Sequence, residues 1–225
     1  MSSILLFGDL ILDIYYYGSS TRIANEGPFP VVNISEIKKQ MGCIGNVLQN
    51  ILFFFDNIYL ITCINTNDVY EVKSLIKDYK NVKLANYHQE NRPIIKKTRI
   101  YSDSICTCRF DEEQINDIDS TNQIKIFEYI KSIISKIDIV LLSDYNKGTL
   151  TKQLTLNILE LTKTYNIISL IEPKTNDFSK YKNATIVKPN KIEFQDCLSY
   201  EKIKTIDDLS IIQNMLIDKY NINII

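Results

Sequence analysis

Short apolar runs that stop at glycine or polar turns recur along the chain and set its rhythm. The first, Ile4-Leu5-Leu6-Phe7, has the length of a buried strand and breaks at Gly8. Two carboxylates follow, Asp9 and Asp13, and hydrophobics and tyrosines carry the chain on to Gly18. Residues 19–30 are polar and include Gly27, Pro28 and Pro30, which predicts a loop. Residues 31–37 alternate loosely, as a strand with one exposed face does. Met41-Gly42-Cys43-Ile44-Gly45-Asn46 opens a helical pattern running to about Phe55. An apolar strand over 58–64, a helix over 69–79 and a short strand over 82–87 follow. Residues 94–101 and 105–110 read as two strands joined by Ser102-Asp103-Ser104.

The second half is more regular. A helix over 122–135 leads to the buried run Ile139-Val140-Leu141-Leu142, which ends in Ser143-Asp144-Tyr145-Asn146-Lys147-Gly148. A helix over 151–165, capped by Thr149 or Thr151, precedes a strand over 167–171 that ends at Glu172-Pro173-Lys174. The strand over 185–188 ends at Pro189-Asn190, and a helical segment with Glu193 in its first turn comes next. A last helix, 206–220, leads into Ile222 to Ile225, which reads as the beginning of a strand. Strand, polar turn and helix in repetition are the pattern of a parallel sheet covered on both faces. The charged and amide residues at the strand ends then line one crevice. The strands around 31–37 and 94–110 fall outside this rhythm and predict a small antiparallel flap over it.

Composition narrows the chemistry. A chain of 225 residues makes one large domain, or one domain with a small appendage. The formal net charge of −1 excludes the broad basic footprint of a nucleic-acid binder. The N-terminus lacks the basic region of a secretory signal, and the longest apolar block elsewhere, 51–55, is too short to span a bilayer. Five cysteines without a CxxC pair fit a reduced, cytoplasmic setting, with Cys106 and Cys108 sharing a strand face as packing residues. His88 is the only histidine, which disfavours a Ser-His-Asp triad or a multi-histidine zinc site. Asp9 and Asp13 offer either sugar-hydroxyl acceptors or a turn cap and a solvated acid. Gly42 and Gly45 at a helix mouth, with the Asn46 amide, admit a ligand to backbone N–H groups. Lys96, Lys97 and Arg99 can grip an anion such as a sugar phosphate, or simply keep an edge strand soluble.

Several segments agree in order and spacing with one family. GDLILDIYYYG (8–18), TRIANEGPFPVV (21–32), GCIGN (42–46), RPIIKKTRI (92–100), Arg109-Phe110-Asp111, LSDYNKGTLT (142–151), EPKTNDFSKYKNAT (172–185) and KPNKIEF (188–194) cover nearly the whole chain. The chain resembles the ribokinase-like (PfkB) carbohydrate kinases, and within them the branch acting on D-glycero-β-D-manno-heptose 7-phosphate at O1. The resemblance implies a three-layer αβα sandwich with a mostly parallel sheet and a small antiparallel β lid. Residues 1–225 would then be a single incomplete domain, with lid strands about 12–18, 30–37 and 94–110. It also implies roles: Asp13, Gly42, Gly45 and Asn46 around the sugar, Lys96, Lys97, Arg99 and Arg109 on the phosphate side of the lid, and Asp144 where sugar meets nucleotide. Lys147, Lys174, Asn190 and Glu193 would face ATP, with Glu193 organising Mg2+. A homodimer through the lid is implied as well.

The family's double glycine reads Gly42-Cys43 here, and the aspartate of its DPK turn is Glu172. Its Gly-x-Gly-Asp motif, which supplies the anion hole and catalytic base, occurs nowhere in residues 1–225. The resemblance places that base aspartate beyond Ile225, so no residue of this chain is expected to be the catalytic base. Weak phosphotransfer by this chain alone is therefore expected. Three alternatives stand beside the kinase reading: a non-catalytic sugar-phosphate binder or partner-completed subunit, a remnant without a ligand, and a Rossmann oxidoreductase. The last lacks a GxGxxG after the first strand.

Overall fold

The computed structural model describes residues 1–175, 177–196 and 206–222. The opening run forms β1 (Ser3–Gly8), and the chain then leaves the core to build two long strands, β2 (Leu10–Ile23) and β3 (Pro30–Cys43). It returns through α1 (Ile44–Ile51), β4 (Asn57–Ile64), α2 (Thr66–Ile76) and β5 (Val82–His88). A second excursion, β6 (Ile95–Ser102) and β7 (Ile105–Glu112), is followed by α3 (Ser120–Ile133), β8 (Ile139–Ser143), α4 (Lys152–Thr164) and β9 (Ile168–Glu172). The two-residue β10 (Ile186–Val187), α5 (Lys191–Asp196) and α6 (Ile206–Tyr220) complete the described chain.

Six strands make one parallel sheet in the order β10-β9-β8-β1-β4-β5. Alternation along β1 explains why it is buried on both sides. Leu5 and Phe7 face a core shared with α3 and α4, and Ile4 and Leu6 face one shared with α1 and α2. The layers are therefore helix, sheet, helix, as the run pattern predicts. The chain leaves β1 toward β4 on one side and comes back to β8 on the other, so the strand order reverses between β1 and β8. An open α/β sheet has its ligand crevice at such a point. There a Cβ on Gly8 would meet the Ser143 carbonyl oxygen at 2.1 Å, so the two strands meet with no room for a side chain.

The two excursions form a four-stranded sheet, β3-β2-β6-β7, which differs from the predicted flap in three ways. It is mixed, because β2 and β6 run parallel between two antiparallel pairs. Its first hairpin also extends further than expected. Residues 19–23 lie in β2 and residues 38–43 in β3, so the predicted loop shrinks to a short turn before Pro30 and α1 starts only at Ile44. The ribbon there has few buried positions, so it carries polar residues on both faces and reads as a loop. Gly18 is not a terminator either: it sits in mid-strand, where a Cβ would fall 2.2 Å from the Asn33 carbonyl oxygen. Of the strand expected over Ile222 to Ile225, only Ile222 belongs to the described residues, and it packs in the core beside α3 and α4. Ile225, the position beyond which the base aspartate is expected, lies outside the described residues. Among the described residues no helix is long and apolar enough to cross a membrane.

Candidate active site

The crevice floor is organised by Asp9, which is almost wholly buried just past the end of β1. Its Oδ2 accepts the Tyr145 and Lys147 amides at 2.8 and 3.1 Å, and its Oδ1 accepts the Thr149 amide at 3.1 Å. All three bonds hold the loop after β8. Of the two openings the sequence left for Asp9, the structure takes the local one: it is a loop clamp.

Asp13 lies four residues on, in the lid, and its partners are different. Successive β2 side chains alternate: Leu10, Leu12 and Ile14 pack into the core, while Asp13 shares the opposite face with Ile11 and Tyr15. Arg99 Nη1 donates to Asp13 Oδ1 at 2.7 Å, and the guanidinium also lies over the Tyr15 ring at 5.3 Å. The Asp13 carboxylate raises the Arg99 guanidinium further above its ordinary range. Gly42, opposite Ile11 on β3, makes room for this acid, since a Cβ there would meet Asp13 Oδ2 at 2.4 Å. The sequence placed Gly42 at a helix mouth to admit a ligand; in the structure it ends a strand and admits a side chain of its own protein. Gly45 likewise serves packing, with a Cβ at 2.2 Å from Met41 Cβ, and Asn46 is exposed in the first turn of α1.

Alternation also separates the lid cations. Lys97 is paired in register with Asp13, and Arg99 is opposite Arg109, so these three share the acid's face. Lys96 points the other way, its ammonium 3.9 Å from Asp68 of α2, and is not brought to this group. Arg109 grips Asp111 with both arms of its fork, at 2.9 and 2.7 Å, and holds that carboxyl below the usual carboxylate range. Cys43 caps α1 with φ 52°, the left-handed region a glycine would occupy without strain. Burial, followed by the nearby Asp9 charge, pushes its thiol up to about 12.

On the other flank, Asp144 begins the loop after β8 and is buried. Its Oδ1 accepts the Asn146 amide at 2.8 Å, and its Oδ2 takes the Tyr181 hydroxyl at 2.8 Å and the Lys180 ammonium. Burial and the Asp144 charge push the Tyr181 phenol up. Asp144 thus already holds three partners of its own protein where it borders the neighbouring cleft. Lys147 pairs with Glu113, on the chain leaving β7. Beyond lies an open cleft of about 180 Å³ bordered by Asp144, Tyr145, Glu172, Lys174, Asn190 and Glu193. Asn190 and Glu193 form a reciprocal capping box: Asn190 Oδ1 accepts the Glu193 amide at 2.9 Å, and Glu193 Oε2 accepts the Asn190 amide at 2.8 Å. The other Glu193 oxygen takes the Lys174 ammonium at 3.1 Å.

Lys174, Asn190 and Glu193 are thereby brought together. Among the described residues no group of three or more His, Cys, Asp or Glu forms a metal cage. That donor set suits a cation such as Mg2+ that brings its own waters and phosphates and needs one carboxylate from the protein. Arg92, Glu113, Lys180 and Tyr181 were given no role by sequence reasoning. Arg92 and the Lys180-Tyr181 pair lie inside quoted segments, but nothing local marks which cation of a segment is buried.

A parallel sheet with a reversal of strand order, accompanied by a second sheet that presents an acid and cations, is an arrangement this chain shares with solved carbohydrate kinases. The comparisons agree. The chain superposes on phosphofructokinase-2 from Escherichia coli in complex with substrates and products with a TM-score of 0.74 at 16% identity, covering 99% of this chain and 71% of that one. A carbohydrate kinase from Agrobacterium tumefaciens gives a TM-score of 0.70 at 15% identity, covering 99% and 68%. No family model matches the chain. The bifunctional protein HldE of Campylobacter fetus is 36% identical over 224 residues, which is 99% of this chain and 48% of that protein. The chain spans about half the length of the curated relatives it matches. The chain has the fold of these kinases and is similar, over nearly its whole length, to about half the length of the HldE proteins.

Proposed function

We propose that this chain binds a sugar phosphate under its lid and Mg-ATP in the neighbouring cleft, as the sugar- and phosphate-holding part of a kinase acting at O1 of heptose 7-phosphate. The observation that carries the reading is the Asp13–Arg99 pair, with Gly42 giving the acid its room. Asp13 would take sugar hydroxyls, and Lys97, Arg99 and Arg109 the sugar's own phosphate. Lys147, Lys174 and Asn190 would face the phosphates of ATP, with Glu193 holding Mg2+. The ion would neutralise phosphate charge, which is most of what phosphoryl transfer asks of a protein beyond positioning. Transfer to O1 also needs a group to take the hydroxyl proton. Asp9 and Asp144 are already committed to loop amides and to Lys180 and Tyr181. The residues in hand therefore support binding better than turnover.

Melting of the purified chain with heptose 7-phosphate, with the unphosphorylated heptose, and with Mg-ATP tests this. A ligand that binds only the folded state raises the melting temperature with its excess over Kd. Heptose 7-phosphate and Mg-ATP should each raise it and the unphosphorylated sugar should not; no shift with either would overturn the reading. Rapid turnover would overturn the claim that residues 1–225 lack the base.

The lid face away from the acid favours a homodimer. Tyr16, Phe29, Ile34, Ile100 and Phe110 border an open, mostly apolar hollow of about 570 Å³, with Phe29 and Phe110 about half exposed. A second copy of the chain is the proposed occupant. Light scattering should give twice the chain mass, and Phe110→Asp should halve it; a wild-type monomer at high concentration would refute the dimer.

A further inference from the structure

Arg92 touches no side chain assigned above to sugar or nucleotide, yet all five of its N–H donors are engaged and the side chain is buried. Nε donates to the Cys63 carbonyl at the end of β4, at 2.9 Å. One terminal nitrogen donates to the Asn116 carbonyl and, at 3.3 Å, to that of Lys147. The other reaches the Lys147 carbonyl at 3.1 Å and Thr149 Oγ1 at 2.6 Å, with Asp9 Oδ1 at 3.9 Å. Arg92 stands at one root of the second lid hairpin, just before β6, and Asn116 stands at the other, just after β7.

Asp9 and Arg92 thus hold the 145–149 loop by opposite groups, Asp9 by its amides and Arg92 by a carbonyl and a hydroxyl. The fit between loop and lid root is close. Gly148 has φ 86°, a Cβ on it would meet the Asn116 carbonyl oxygen at 2.4 Å, and its own carbonyl accepts the Ile118 amide at 3.0 Å. Lys147 adds its ion pair with Glu113.

We infer that Arg92, backed by Asp9, is a positioning residue that locks both roots of the lid hairpin to the 145–149 loop. Lid cations and Lys147 then move as one body. The consequence for a kinase rests on the function proposed above: sugar phosphate held by the lid and nucleotide phosphates facing the loop are brought into register by this one guanidinium. A lysine keeps the charge but cannot span three segments, because its ammonium is a single point on a flexible stem.

The test is amide exchange on the full chain, without ligand, for wild type and Arg92→Lys. Thr149→Val, which removes a single contact of the fork, serves as the milder variant if the lysine form does not fold. The Tyr145, Lys147, Thr149 and Ile118 amides should exchange about tenfold faster in Arg92→Lys, while those of β1, β4 and β8 stay within about twofold; Thr149→Val should fall between. Acceleration spread evenly over the core, or absent from the loop, would overturn the latch. Binding separates a latch from a merely structural arginine. Arg92→Lys should leave the Kd of heptose 7-phosphate alone and of a non-hydrolysable Mg-ATP analogue alone within about threefold, and abolish the effect of one on the other. Equal loss of both affinities would refute it. Wild type binding neither ligand would sink the function proposed above, and the exchange pattern would still decide the latch.

Discussion

Gly42→Ala is the most informative single change at the candidate site, because its cost can be worked from distances. The added methyl would stand 2.4 Å from Asp13 Oδ2, 2.6 Å from Ile11 Cγ1 and 2.9 Å from Ile11 Cδ1. Ile11 cannot give way, since it is packed with Cys43 and Ile95 in a small buried cluster. Asp13 must therefore swing and lengthen its 2.7 Å bond to Arg99. Overpacking costs about 1–3 kcal/mol. Weakening a charge-assisted bond removes part of a further ~1.5–3 kcal/mol. The stiffer unfolded chain returns about 0.4–1 kcal/mol. The balance is a loss of about 2–4 kcal/mol, or roughly 4–16 °C in melting temperature for a chain of this size. Gly27→Ala is the control: its methyl would meet only the ring of Phe29, which is half exposed and free to turn, so a shift under about 2 °C is expected. Scanning fluorimetry reads both, and a heptose 7-phosphate titration should show binding lost in Gly42→Ala alone. Gly42→Ala melting with the wild type would refute the claim that this glycine exists to seat Asp13.

Lys180→Met strands the Asp144 carboxylate in the interior and should cost about 3–5 kcal/mol by urea unfolding. Adding Asp144→Asn should recover part of that loss, and no recovery would deny the coupling. Cys43 and Cys63, pushed up by burial to about 12 and about 11, should resist a thiol reagent at pH 8, while exposed Cys106 and Cys108 react; peptide mapping by mass spectrometry distinguishes them. The sign for stability follows from the raised values. The contribution of the two buried thiols is complete below the unfolded value near 9 and is lost as pH rises through 11 and 12, so melting should fall above pH 9. Asn190→Ala removes one half of the capping box and should cost about 1 kcal/mol of stability. A larger fall in Mg-ATP affinity than in stability would support its placement at the phosphates.

Legibility in the sequence followed burial. The central strands of the core sheet were readable, because an element buried on both faces is written in apolar runs such as 58–64 and 139–142, which match β4 and β8 within a residue. The lid was read short, because a ribbon with few buried positions leaves no run. Residues 19–23 and 38–43 are strand by pairing rather than by pattern. The separation of Lys96 from Lys97 was available in principle from strand alternation, and it needed only the parity of β6 relative to Asp13. The buried ion pairs were not available. Lys180 goes inside to a carboxylate 36 residues distant, and Arg92 to carbonyls and a hydroxyl 24 to 57 residues distant, none of which the local sequence marks.

The two acids of the opening stretch show how the fold divides labour. Asp9 and Asp13 are four residues apart and alike in sequence, but between them the chain steps from the core sheet to the lid sheet. At that step Asp9 is left at the end of β1, facing the free amides of a loop that must turn back from β8, and three of those amides occupy both its oxygens. Asp13 is carried onto the lid, where β2 and its neighbours spend their amides and carbonyls on each other. Its carboxylate then has side chains alone for company, a single short bond to Arg99, and capacity left over. An acid with acceptor sites left over beside cations can take hydroxyls, whereas one already holding three backbone amides has little capacity for them. The same reasoning ranks Asp144, which already holds Lys180, Tyr181 and Asn146, behind Asp13 as the carboxylate on which sugar binding should depend.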